Sequence, residues 1–125
     1  FDLQTVKVLL VDDEQDNLDL ITFILEDAGA TVTAVNSASE ALAVLGEFNP
    51  DVLVSDIGMP EMNGYELVKQ VQASLLRGES IPAIALTAYA GEADQKQAIA
   101  AGFQVHLSKP VEPNELINTI FELVR

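Results

Sequence analysis

Three carboxylates, one hydroxyl and one ammonium stand where four short apolar runs end. Asp12 and Asp13 follow Val8-Leu9-Leu10-Val11, and Asp56 follows Val52-Leu53-Val54-Ser55. Thr87 follows Ala83-Ile84-Ala85-Leu86, and Lys109 follows Val105-His106-Leu107-Ser108. Gathered in one crevice, these groups form a set for phosphoryl and divalent-metal chemistry. Two unit charges ~4 Å apart repel by roughly 4 kcal/mol at an effective dielectric near 20. Three crowded carboxylates therefore call for a retained proton or a bound cation, and hard oxygen donors suit Mg²⁺, with Mn²⁺ as the other option. Asp56 is the candidate nucleophile, because a loop rather than a helix follows it and carboxylates are known phosphoryl acceptors. Transfer to a carboxylate needs little beyond alignment and charge neutralisation. Lys109 would supply fixed positive charge, Thr87 a donor to a phosphoryl oxygen, and the small Ala88 room for the phosphate beside its own N–H. Each residue alone has a plainer reading: Asp12-Asp13 as helix N-caps, Thr87 as a strand-end hydroxyl, Lys109-Pro110 as a solvated turn.

Something must bring those run ends together. Each run has the length and branched-residue content of a buried strand, and a helix-like stretch follows it. The pattern predicts strands at 6–11, 31–35, 51–55, 82–86 and 103–107. Helices are predicted over about 14–28, 38–48, 65–76, 92–101 and 112–124. Gly29, Asn49-Pro50 and Gly102 serve as helix stops, and Gly58, Pro60 and Gly64 mark the loop after Asp56. In the first helix Leu20, Ile21, Ile24 and Ala28 recur at helical spacing and predict the core face. Leu18 and Leu25 fall on its flank, as a docking patch or as ordinary core margin. Five βα units imply a doubly wound α/β domain: a parallel sheet, right-handed crossovers, helices on both faces. In such sheets the ligand crevice lies beyond the carboxyl ends of the strands, where the reactive residues stand.

The chain of 125 residues is one domain, with 1–5 as a linker stub and 6–125 as the folded unit. It contains no cysteine, which removes disulfides and thiolate chemistry, and this fits a cytoplasmic setting. No apolar stretch is long enough to span a bilayer and no signal peptide is present. Twenty acidic against six basic residues give a net charge of −14. That field disfavours direct nucleic-acid binding and attracts divalent cations and basic partner surfaces. The start at Phe1 rather than Met reads as a piece of something longer, or as a free-standing protein trimmed at its start.

Taken together, Asp12-Asp13, the segment Asp56-Ile57-Gly58-Met59-Pro60 with Gly64, the pair Thr87-Ala88 and Lys109-Pro110 resemble, in order and spacing, the receiver domain of two-component signalling. The resemblance spans 6–124. It implies a flavodoxin-like sheet of order 2-1-3-4-5 and a phosphoryl group passed to Asp56 from a phosphohistidine on a kinase or phosphotransfer protein. It further implies Mg²⁺ on Asp13, Asp56 and the Gly58 carbonyl, with Asp12 acting largely through water. Thr87 and Lys109 would bind the phosphate, helped by the backbone of Ile57 and Ala88, and Tyr89 would modulate access. The isolated domain would not be an enzyme, although it assists its own phosphorylation and dephosphorylation. It would be a monomer, engaging its partner through the first helix and the loops at the site.

In this family Thr87's position moves with an aromatic three residues before the lysine. Here that residue is His106, the only histidine. Two outcomes stay open: a switch weaker than usual or sensitive to imidazole charge, or an inert histidine at the core edge. Asn63 stands where aspartate is usual, a turn-compatible change. An FMN site is excluded, since Asp12-Asp13-Glu14 would repel a phosphate. An aspartyl phosphatase would need an acid where Gly58 stands. A pseudo-receiver, binding partners without phosphorylation, is the remaining rival.

Overall fold

The structure, a computed structural model, describes residues 3–75, 80–88 and 92–124, the side chains of 92–94 excepted. Five strands, β1 (Lys7–Val11), β2 (Thr31–Val35), β3 (Val52–Asp56), β4 (Ala83–Thr87) and β5 (Val105–Ser108), alternate with five helices. The helices are α1 (Gln15–Asp27), α2 (Ala38–Phe48), α3 (Gly64–Ser74), α4 (Glu92–Ala101) and α5 (Pro113–Val124). All strand pairs are parallel, in the order β2-β1-β3-β4-β5. The expected alternation and topology are both present.

Side-chain alternation along parallel strands sorts the apolar residues into two layers. Val8, Leu10, Val52, Val54, Ile84 and Leu86 face one side and pack with Leu18, Ile21 and Leu25 of α1 and Leu116 and Ile120 of α5. Leu9, Val11, Leu53, Ala83 and Ala85 face the other and pack with α2, α3 and α4. Strands buried on both faces explain the unbroken apolar runs in the sequence.

The helix ends follow local chemistry. Ser37 Oγ accepts the Glu40 N–H and caps α2. Asn49 ends the same helix in the left-handed region at φ 52°, immediately before Pro50. Asn63 and Glu66 form a reciprocal capping box at the start of α3. The position noted only for its turn compatibility thus starts the helix.

Three expectations are corrected. Leu20, assigned to the core face of α1, is 57% exposed, and Phe23 is 68% exposed. The buried stripe is Leu18, Ile21 and Leu25. α1 carries two overlapping apolar stripes, and only contact with Val8 and Leu10 selects between them. β5 begins at Val105 rather than Phe103; just ahead of it Gln104 bonds Ala83 twice, its N–H donating to the Ala83 carbonyl at 2.9 Å and its Oε1 accepting the Ala83 N–H at 2.6 Å. Phe103 is still buried, just ahead of the strand. Finally, Leu3 lies within the segment expected as a linker, yet it is fully buried and its N–H bonds the Ala28 carbonyl.

The stripe assignment predicts unequal costs for equal truncations. Leu25→Ala should lose about 2–5 kcal/mol in urea unfolding, while Leu20→Ala should stay within about 0.5 kcal/mol of the parent. Similar losses in both variants would contradict the orientation of α1.

Candidate functional site

Every reactive residue singled out at a run end sits at or just past the carboxyl end of its strand. Asp56 and Thr87 are the last residues of β3 and β4. Asp12 and Asp13 follow β1, and Lys109 follows β5. β1, β3, β4 and β5 are consecutive in the sheet, so these ends converge. Oxygens of Asp12, Asp13 and Asp56 lie within 4.8 Å of one another.

Lys109 closes the set. Its Nζ lies 3.0 Å from Asp56 Oδ1 and 3.2 Å from Asp12 Oδ2. Burial opposes the ammonium form, but the hydrogen bond and charge of Asp56, with Asp12 behind them, outweigh it, and the Lys109 pKa is held above its ordinary value. A lysine pKa raised by folding stabilises the fold while the amine is protonated. That contribution is whole at neutral pH and fades only as alkaline pH passes the raised value.

Asp12 is fully buried and divides its two oxygens. Oδ1 accepts the Glu14 N–H at 2.9 Å, and Oδ2 faces Lys109. The charge-cluster reading of Asp12 holds, whereas the N-cap of α1 is Glu14, whose N–H Asp12 Oδ1 accepts just ahead of the helix. Asp13 is exposed. The Asp56 carbonyl is held from two sides: the Ser55 hydroxyl donates to it at 2.8 Å, and Gly64 packs against it. A Cβ at Gly64 would lie 2.5 Å from that oxygen and 2.8 Å from the Ile57 Cα. The Gly64 N–H also bonds the Ile57 carbonyl at 2.9 Å, folding the loop back under Asp56.

A cleft of about 330 Å³ opens over Asp56. Ile57, Gly58, Thr87, Ala88 and Lys109 line it, as do Glu14, Tyr65 and Gln97, which the sequence reading did not place there. Nothing in their spacing marks those three; the residue capping α1 and the helices α3 and α4 bring them in. The role expected for the Ile57 N–H is corrected, because that group bonds the Leu86 carbonyl at 3.1 Å. The β3–β4 ladder runs one residue past the strand and consumes it. Gly58, next in line, has no such bond among the described residues and no atom within 4 Å of where a Cβ would stand. Tyr89 lies outside the described residues. His106 pairs with Ala85 across β4–β5 and so shares a sheet face with Thr87, two residues further on. It is partly buried, and its Nε2 has no partner among the described residues.

The sequence matches the response regulator receiver domain family over residues 8–121. It is 50% identical over 118 residues to an uncharacterized 14.6 kDa protein of Leptolyngbya boryana, covering 94% of this chain and 89% of that one. It is 39% identical over 117 residues to the response regulator SaeR of Staphylococcus aureus, covering 94% of this chain and 50% of SaeR, so it spans half the length of that relative. The solved structure of the chemotaxis protein CheY4 of Vibrio cholerae is similar at a TM-score of 0.88 and 32% identity, covering 94% of this chain and 98% of that one.

The close approach at Gly64 predicts that Gly64→Ala will lower stability by about 1–3 kcal/mol or more, since backbone rather than a flexible side chain must yield. Gly58→Ala should change it by less than about 0.5 kcal/mol. Thermal unfolding of the two variants checks the pair, and a neutral Gly64→Ala would contradict the packing under Asp56.

Proposed function

Because this chain belongs to the response regulator receiver domain family, we propose that Asp56 is its phosphoacceptor, charged by a phosphohistidine on a histidine kinase or phosphotransfer protein. One observation carries this reading: the Asp56 carboxylate, largely buried, forms part of a cleft wall with the Lys109 ammonium 3.0 Å away and two further carboxylates within 4.8 Å. A structural ion pair would not need Asp13, which is exposed and adds only repulsion unless a cation is present.

The donor set of hard carboxylate oxygens fits Mg²⁺. Asp13, Asp56 and the Gly58 carbonyl would hold it, with Asp12 acting largely through water; Mn²⁺ suits the same donors. When bound, the cation neutralises charge on the carboxylates and on the incoming phosphoryl oxygens. An Asp56 oxygen forms the new bond to phosphorus while the P–N bond breaks, and the electron pair stays on the departing imidazole nitrogen. Lys109 already touches Asp56 and Asp12, so it can pass to a phosphoryl oxygen with little movement. Thr87 and the Ala88 N–H complete the cradle, and the Gly58 N–H takes the place first expected of Ile57.

The signal is the capture of Thr87 by the phosphoryl group, with His106 on the same sheet face as the candidate second part of the switch. A change of about one charge on a background of −14 is too small to act through the overall field. Docking falls on α1, where Leu20 and Phe23 are exposed beside a small crevice lined by Ile24, Lys109, Pro110 and Val111. The domain is a signalling module that assists its own phosphorylation and dephosphorylation.

A small phosphodonor with Mg²⁺ should add one alkali-labile phosphate, absent in Asp56→Asn, by intact-mass spectrometry. No adduct on the parent chain would leave a module that binds partners without phosphorylation. In Lys109→Ala the adduct should still form, more slowly, while the amide shifts of Thr87 and His106 that accompany it in the parent disappear. Unchanged shifts in that variant would remove the lysine from the switch.

A further inference from the structure

The Glu14 side chain sits on the cleft wall without a structural task, although the residue's carbonyl accepts the Leu18 N–H. It is the N-cap residue of α1, yet its side chain makes no capping hydrogen bond. Glutamate is a poor N-cap in any case, and just ahead of the helix Asp12 Oδ1 takes the Glu14 N–H. The Glu14 side chain is exposed, and among the described residues its carboxylate has no hydrogen bond or ion pair. The same residue lines the cleft over Asp56.

Charge makes that placement consequential. Glu14 and Asp56 line the cleft, oxygens of Asp12 and Asp13 lie within 4.8 Å of Asp56 beside it, four carboxylates in all, and Lys109 is the one cation among the described lining residues. Three net negative charges remain, and a bound divalent cation leaves one. That last charge is the one Glu14 contributes. Its field acts on whatever phosphoryl compound approaches Asp56, and most strongly on a dianion.

We propose that Glu14 is a specificity-determining residue, a charge filter at the cleft mouth that disfavours small dianionic phosphoryl donors. A phosphohistidine delivered on a protein brings docking energy from α1 to offset the repulsion, whereas a free small molecule has none. This inference rests on the phosphoacceptor reading of Asp56.

The test compares the parent, Glu14→Gln and Glu14→Lys with two donors at saturating Mg²⁺: acetyl phosphate, a dianion at neutral pH, and phosphoramidate, chiefly a monoanion. At low ionic strength Glu14→Gln should speed phosphorylation by acetyl phosphate about fivefold and by phosphoramidate about twofold, as expected when the same field acts on two charges and on one. Glu14→Lys should widen the gap further, and about 0.5 M salt should close most of it. As a readout independent of chemistry, sulfate, an unreactive dianion, should bind the Mg²⁺-loaded Glu14→Gln domain more tightly by a factor similar to that for acetyl phosphate. Amide shifts of Gly58 and Ala88 report that binding. An unchanged donor ratio, or equal acceleration of both donors, overturns the filter, and so does an unchanged sulfate affinity. If the parent accepts phosphate from neither donor, the phosphoacceptor reading fails, while the sulfate titration still judges Glu14.

Discussion

The Lys109 ammonium lies between Asp56, at 3.0 Å, and Asp12, at 3.2 Å, at the point where three strand ends meet. Without it, three carboxylates would share one crevice with no countercharge among the described residues. The fold is arranged around that requirement. Lys109 is 97 residues from Asp12 in the chain, and only the sheet order, with β1, β3, β4 and β5 side by side, brings the two together. Burial opposes the lysine's charge, but Asp56 and Asp12 together outweigh it and hold the pKa above its ordinary value, so the cation persists across the whole physiological range. The clasp is also incomplete: one ammonium against three carboxylates leaves a deficit that a divalent ion can fill.

Holding Asp56 still is a separate task, carried by backbone contacts. Ser55 donates to the Asp56 carbonyl. The Ile57 N–H extends the ladder to Leu86, and the Gly64 N–H folds the loop back onto the Ile57 carbonyl. These bonds rigidify the residues on either side of the carboxylate while the carboxylate itself faces the cleft. The same economy shows in Asp12, whose two oxygens divide between the Glu14 N–H just ahead of α1 and Lys109. A site built on strand ends and helix starts inherits the rigidity of the core beneath it.

Much of this was legible in the residues. Uninterrupted apolar runs mean strands buried on both faces, and buried parallel strands need helices to cover them, so the fold class followed from pattern, while the strand order came with the family resemblance. The reactive residues could be picked out because each stands where a run stops. Legibility failed where two local patterns compete. In α1 the stripes through Leu18 and through Leu20 are both apolar, and helical spacing cannot say which one meets the sheet. At the start of β5 the Gln104 side chain accepts the Ala83 N–H beside a backbone bond between the same residues, a contact no propensity encodes. The Ile57 N–H looked available because its neighbour across the sheet, Leu86, is invisible to local spacing.

The sequence by itself determined the strand-and-helix alternation, the acidic character and the identity of the charge set, because these depend on residue type and short-range period. Tertiary structure alone decided which face of α1 is buried, which N–H groups remain open above Asp56, and that Glu14, Tyr65 and Gln97 join the cleft wall. The physical reason is the same in each case. These outcomes depend on contacts between groups remote in the chain, and such contacts exist only once the sheet has placed them side by side.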